Sequence, residues 1–536
     1  MKFQALALAV GLTVSSGAQA FPFFKPGLSL EVIGQHQTGV FDDGAAEIVA
    51  HDPRTQRLFK VNAAATTVDV LDINDPTNPV LVNTIDASSL GGGANSVAVH
   101  KGVVAVAIEA NDAQAPGVVA FYDAYDLALL KTVTVGALPD MVTFTPNGRF
   151  ALVANEGEPN DDYTVDPEGS VSIIDLRRGL AKARVRTADF SSFNGLEDEL
   201  RAQGVRIFGP GASAAQDLEP EYITVSRNSR IAWVSLQEAN ALAVVNIRRA
   251  KVIDILPLGT KDHSLPGNEL DASNKDDAIN ITSWPVMGMY MPDGIDSYHF
   301  RGLPYIVTAN EGDSRDYDGY SEEERIEDLN LDPVAFPDAE ELQKEENLGR
   351  LKTTTANGDT DGDGDFDELY SYGARSFSIW SASGELVFDS GSDFEDITAS
   401  ELPDDFNSTN DENDSFDNRS DDKGPEPEGV VLGTIRGRTY AFIGLERVGG
   451  IMVYDVTNPY DVRFVEYVNN RDFGVEAQLA DDSVNPEVGD LGPEGLAFIP
   501  WYQSPNRRPL LVVGNEVSGT TTVFQVNLDL PRFGRH

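Results

Sequence analysis

Cysteine is absent from all 536 residues. Disulfides, thiolate nucleophiles, Cys-ligated zinc and iron–sulfur clusters are therefore excluded. Histidine is almost as scarce, with six residues, which argues against a multi-histidine zinc or copper centre. His51, His100, His263 and His299 are scattered and read as structural. Positive charge is also in short supply: 40 Lys and Arg stand against 87 Asp and Glu, a formal net charge of −47. That deficit removes nucleic-acid binding, which needs clustered cations on phosphates, and disfavours docking on anionic lipid. No G-x-S-x-G elbow, P-loop, H-E-x-x-H or G-x-G-x-x-G at a strand–helix junction is present. Hydrophobic residues at 41% and charged residues at 24% still give an ordinary globular balance, so a folded chain is expected.

The first twenty residues read as an export signal. Lys2 supplies the positive start, Ala5 to Val14 an apolar run too short to span a bilayer, and Ala18-Gln19-Ala20 the small-x-small cleavage site. A mature chain beginning at Phe21 is expected, secreted or periplasmic, from a bacterium, with no membrane span. Residues 21–536 are expected to form one domain and a monomer. Leu530 to His536 carry no hydrophobic tail, so no C-terminal anchor is expected. The sequons at Asn407 and Asn418 carry no weight in a bacterial product.

What is present is a repeat. Phe150 to Ala154, Ile231 to Ser235 and Tyr305 to Ala309 are β-rich runs beside turn residues. Five units start on proline and an acid: Pro139-Asp140, Pro220-Glu221, Pro292-Asp293, Pro427-Glu428 and Pro493-Glu494. A second strand ends 16 to 22 residues later at Glu156, Glu238, Glu311, Glu446 and Glu516. A third strand follows each. Two degenerate units start at Glu47 and Asn95, the latter ending its second strand at Glu109. Repeated antiparallel units predict an all-β fold, a β-propeller of seven blades. At about 45 residues per blade they use about 315 residues, and the rest are insertions. The long acidic segments at about 177–218, 313–375 and 390–424 are those insertions, and Asp404 to Lys423 reads as a solvated loop. Leu30 to Gln35 is expected to supply an outer strand closing the ring. Glu197 to Gln203 and Glu322 to Glu327 are expected as short helices.

In a propeller the innermost strand of each blade lines the channel. An acid at its start and an acid at the end of the returning strand reach the same mouth. Glu47, Asp140, Glu221, Asp293, Glu428 and Glu494 are expected as an inner set, with Glu109, Glu156, Glu238, Glu311, Glu446 and Glu516 behind it. Converging like charges call for a cation, an arginine or shared protons. Oxygen ligands without Cys point to Ca²⁺, then Mg²⁺ or Mn²⁺. Arg315 and Arg447 lie beside the ring, suited either to phosphate recognition or to neutralising the acids.

A separate calcium signal lies in Asp359-Thr360-Asp361-Gly362-Asp363-Gly364-Asp365-Phe366-Asp367. Acids at positions 1, 3, 5 and 9 and glycine at 6 follow an EF-hand-type loop, although Tyr370 stands where the bidentate Glu would be.

Residues Ala154 to Tyr163, Asp166 to Ser172, Thr308 to Asp313, Gly358 to Asp365 leading into Tyr372 to Phe377, Gly424 to Gly429, and Asp490 to Gly495 together resemble the choice-of-anchor I family. That resemblance covers nearly the whole mature chain. It implies a secreted or surface bacterial propeller of a kind often labelled alkaline phosphatase-like. The acid ring also resembles, in chemistry alone, the calcium clusters of propeller phytases and phosphatases.

The expectation drawn from these features is a metal-dependent phosphoesterase acting on a small phosphorylated substrate. Glu311, Arg315 and Arg447 would be its reacting-site residues, and the other ring acids except Glu109, with Asp359, Asp361, Asp363, Asp365 and Asp367 of the loop, its metal ligands. The alternative is a non-catalytic, calcium-stabilised binding or adhesion propeller recognising a surface ligand.

Overall fold

The computed structural model describes residues 27–529. The export signal and the chain from Leu530 onward lie outside the described residues. Alternating β-rich runs joined by short turns build seven four-stranded antiparallel sheets. Their first strands are Val49–Asp52, Ala94–His100, Pro139–Phe144, Ile223–Val225, Ile295–Phe300, Pro427–Ile435 and Pro493–Ile499. Each contacts the first strand of the next sheet, and the seventh contacts the first. This closed circle of sheets is a β-propeller.

Burial follows from that circle. Second strands are covered on both faces by neighbouring sheets, so Phe150–Asn155 and Leu510–Asn515 are buried throughout and read as continuous rather than alternating apolar runs. Outer strands face solvent, as in Val80–Asp86, where only Ile85 is buried. Closure is non-covalent. Gly27–Gln37 pairs antiparallel with Thr520–Asp529 and becomes the outer strand of the seventh sheet, as the Leu30 to Gln35 pattern predicts.

The insertions differ in part from expectation. Arg184–Asp189 is the outer strand of the third sheet, so the insertion expected from Arg177 begins only after Asp189. Residues 258–294 were not foreseen as an insertion. Their strands Thr260–Asp262 and Met287–Met289 join Glu323–Arg325, Lys352–Thr354 and Tyr370–Ser371 in a five-stranded sheet. Leu270, Val286, Ile326, Leu348 and Leu351 give this subdomain its own core. Glu322 to Glu327, expected as a helix, holds that strand and a single 3₁₀ turn, because pairing with Lys352–Thr354 overrides local propensity. The acidic stretch Asp404 to Lys423 is not a solvated loop: Phe406, Asn407 and Ser420 have no exposed surface, and the Asn407 amide nitrogen donates inward to Glu395 and to Ser420.

Candidate functional site: an acid ring at the propeller mouth

Two local devices aim the acids. At the end of the second strand, Asn155, Asn310 and Asn515 immediately precede Glu156, Glu311 and Glu516. Each side-chain amide reaches across to the third strand: Asn155 donates to Ser172 Oγ at 3.0 Å, Asn310 to Ser378 Oγ at 2.8 Å, and Asn515 to Thr520 Oγ1 at 3.0 Å. These bonds pin the strand end from which the carboxylate projects. The second device is glycine after the inner acid. A Cβ on Gly294 would lie 2.6 Å from the Glu428 carbonyl oxygen, and one on Gly495 would lie 2.8 Å from that of Glu47. Gly429 stands in the same way against Glu494. Each glycine thus lets the next sheet's acid approach, which draws Asp293, Glu428, Glu494 and Glu47 into one series.

The result is a cavity of about 210 Å³ lined by Asp140, Glu156, Glu221, Asp293, Glu428 and Glu494, with Asn95, Met141 and Tyr222 among them. Single carboxylate oxygens of Glu156, Glu221 and Glu238 all lie within 4.8 Å of one another. So do those of Asp293, Glu311 and Glu428, and those of Glu311, Glu426 and Glu446. Glu47 and Glu516 act electrostatically on each other and on this series. The second sheet offers Asn95 to the cavity in place of an acid, and Glu109 lies outside the clusters, with its carboxylate against Gly93.

Charge here is poorly offset. Burial, then Glu238 and Glu156, hold the Glu221 carboxyl well above the usual range. Burial raises Glu238 and Asp140 to about 7, and burial with Glu516 raises Glu47 to about 8. Glu428 and Glu494 are likewise pushed up, first by burial and then by neighbouring carboxylates. One oxygen on each of Glu221, Glu238, Glu428 and Glu494 is buried without a hydrogen-bond partner among the described residues. Glu221 and Glu238 are only 7% and 5% exposed. Orphaned carboxylate oxygens converging on one polar cavity are the chemistry of a hard-cation site.

Of the two roles the sequence left open for the arginines, both side chains adopt ion pairing with acids. Arg315 is 1% exposed and is held in its own ion pairs, near enough to Glu238 to act on its charge. Its guanidinium meets Asp217 and, at 2.6 Å, Glu219, and it lies over the Phe208 ring. Locked this way, its two terminal nitrogens are committed to Asp217 and Glu219. Arg447 is bound to Glu426 at 2.6 Å and to Glu446 at 3.1 Å, the neutralising arrangement. Glu311 accepts from Lys423 Nζ at 3.0 Å and from Gln237 at 3.0 Å, so each of its oxygens already has a donor.

Sequence reasoning missed Lys423 and Glu426. Glu426 has no exposed surface and receives Arg419, Arg447 and Lys423. Burial alone would raise its carboxyl, but these three cations outweigh burial and hold it far below the usual range. The Pro-Glu-Pro-Glu run from Pro425 to Glu428 was the available signal.

The aspartate loop folds as a turn series: Asp359 accepts from the Gly362 and Gly364 amides at 2.7 and 3.2 Å. Asp359, Asp361 and Asp367 form one cluster, while Asp365 and Asp367 form another with Asp332. Asp363 is in neither. Asp332 arrives through a parallel bridge between Leu331 and Phe366, which spacing within the loop does not reveal.

The fold and the ring define a propeller with an acidic central cavity. A profile of the choice-of-anchor I domain matches residues 47–459, and the chain belongs to that family. The chain is 34% identical over 196 residues to Gigasin-3a of Magallana gigas, a stretch covering 35% of this chain and 69% of that protein. It is 29% identical over 320 residues to a mesenchyme-specific cell surface glycoprotein of Strongylocentrotus purpuratus, covering 51% of this chain and 40% of that protein. Both are animal proteins, whereas the sequence reading expected a bacterial source. Among solved structures, hydrazine synthase of Kuenenia stuttgartiensis is similar with a TM-score of 0.46 at 13% identity, over 91% of this chain and 98% of that one. A streptogramin B lyase structure gives 0.43 at 10%, over 94% and 98%. Among the described residues no helix is long and apolar enough to cross a membrane.

Proposed function

We propose that this chain is a non-catalytic, extracellular binding propeller whose central cavity holds a divalent cation, calcium, at Glu156, Glu221 and Glu238. The observation that carries the reading is the pair of orphaned, buried carboxylate oxygens on Glu221 and Glu238. All-oxygen ligands with flexible geometry suit calcium over zinc or copper. The surface role rests on the export pattern and on the cell-surface protein among the relatives. The phosphoesterase reading loses its support, because Arg315 is sequestered and Arg447 is spent on Glu426. The loop from Asp359 to Asp367, joined by Asp332, adds a second oxygen-rich cluster of the kind that takes calcium at about 10⁻⁴–10⁻³ M outside cells.

The test is titration calorimetry and thermal unfolding with calcium and with EDTA. Calcium at a hundred times its Kd should stabilise the chain by about 2.7 kcal/mol, and Glu221→Gln with Glu238→Gln should remove the ring contribution. Absence of both heat and a melting shift overturns the cation. EDTA-sensitive hydrolysis of p-nitrophenyl phosphate overturns the non-catalytic assignment.

A further inference from the structure

The ring is asymmetric in how its charge is met. Around Glu156, Glu221 and Glu238 there is no salt-bridged Lys or Arg among the described residues, and two carboxylate oxygens are orphaned. Beside this group, the ammonium of Lys423 stands 3.0 Å from Glu311 and 3.6 Å from Glu426. Lys423 is 8% exposed and is delivered by the insertion that precedes the sixth sheet, not by a propeller strand. Glu311 is the acid shared by the two neighbouring clusters, Asp293–Glu311–Glu428 and Glu311–Glu426–Glu446. Lys423 takes its Oε1 and Gln237 its Oε2. The Asp293–Glu311–Glu428 cluster resembles Glu156–Glu221–Glu238 in makeup, down to a buried, unpartnered oxygen on Glu428, but its shared ligand is committed.

We propose that Lys423 is a tethered cation standing in for a second divalent ion, so that the ring binds one such ion at Glu156, Glu221 and Glu238 and is kept from binding another at Asp293, Glu311 and Glu428. The inference rests on the cation reading above and adds to it a stoichiometry and a residue that sets it. A lysine ammonium is a compact point charge that can occupy a carboxylate cluster, but it brings one positive charge and three donors where a divalent ion brings two charges and needs six or more oxygens. Removing it releases Glu311 and leaves Asp293 and Glu428 with a free third ligand. The same contact ties the inserted segment to the mouth, so cation load and the seating of that segment are coupled.

The experiment counts calcium per full-length chain by equilibrium dialysis and native mass spectrometry, reading differences between variants so that calcium elsewhere cancels. Glu238→Gln should lose one ion, and Glu428→Gln in the native background should lose none. Lys423→Met should gain one, and adding Glu428→Gln to it should remove that gain. Lys423→Arg should leave the native count. Should Lys423→Met fold only with calcium, its melting in calcium against EDTA reads the same gain. A native chain that loses a second ion on Glu428→Gln overturns the proposal, as does a Lys423→Met chain with an unchanged count. If Glu238→Gln loses nothing, the cation reading itself fails, an outcome distinct from either of these.

Discussion

Gly294 donates its amide to the carbonyl of Glu428 at 3.1 Å, joining the fifth and sixth sheets at the rim of the cavity. The glycine is there for room: a Cβ would sit 2.6 Å from that oxygen. Gly294→Ala should destabilise the chain by about 1–3 kcal/mol, the usual result of overpacking. Because it displaces Glu428 and not Glu238, it should leave calcium affinity at the Glu156 side within a few-fold of native. Urea unfolding and calorimetry on the same variant read the two effects.

Arg315 should behave as a structural residue. Arg315→Met leaves Asp217 and Glu219 buried without their partner and should cost about 3–5 kcal/mol. The calcium titration of the folded variant should retain its native stoichiometry. A loss of ion binding with unchanged stability would contradict this assignment.

Glu426 is the opposite pole of the same logic. Glu426→Gln leaves Arg419, Arg447 and Lys423 facing one another around a neutral amide. A loss of about 3–5 kcal/mol is expected. Limited proteolysis should then cut between Phe406 and Gly424, the stretch these cations hold down.

Buried carboxylates away from the ring add to the pH dependence, in the same direction as the raised ring acids Glu47, Asp140 and Glu238. Burial raises Asp271 to about 7 and Asp417 to about 8, from ordinary values of 3.8. Between those limits the folded state binds more protons than the unfolded chain, so stability falls as pH rises, by at most about 1.4 kcal/mol per pH unit for each proton. His51, which burial lowers to about 4, pulls the other way below pH 6.5. The clean window is therefore pH 6.5 to 8, where melting temperature should fall with rising pH, and Asp271→Asn should flatten the slope.

Closure by the N-terminal strand is testable at Leu30. Its side chain is 8% exposed in the core shared by the sixth and seventh sheets, and its amide donates to Glu466 at 2.7 Å. Leu30→Ala should cost about 2–5 kcal/mol, and a chain starting at Thr38 should lose cooperative unfolding by calorimetry. Preserved cooperativity would show that the circle holds without its outer strand.

Much of the propeller was legible because its signals are local. A Pro-acid start, two short strands and a terminal Glu lie within one unit, and the antiparallel return of the second strand carries both acids to one mouth. The outer strand Arg184–Asp189 was misread as insertion because an exposed edge strand has a polar composition close to that of a loop. The segment 258–294 escaped because its strands are three residues long and pair with partners far along the chain. Asn155, Asn310 and Asn515 were visible as Asn-Glu pairs, but their bonding to the third strand was not.

The sequence by itself determined the circle of β units, the acidic excess and the recurrence of carboxylates at equivalent strand ends, since each depends on residues close in the chain. Only the tertiary structure decided which carboxylates are met by a cation and which are not. Lys423 and Glu311 are 112 residues apart, and Arg315 and Asp217 are 98 apart. Such pairings are set by how the insertions pack on the sheets, and burial then turns each partnered or orphaned charge into the largest local energy term.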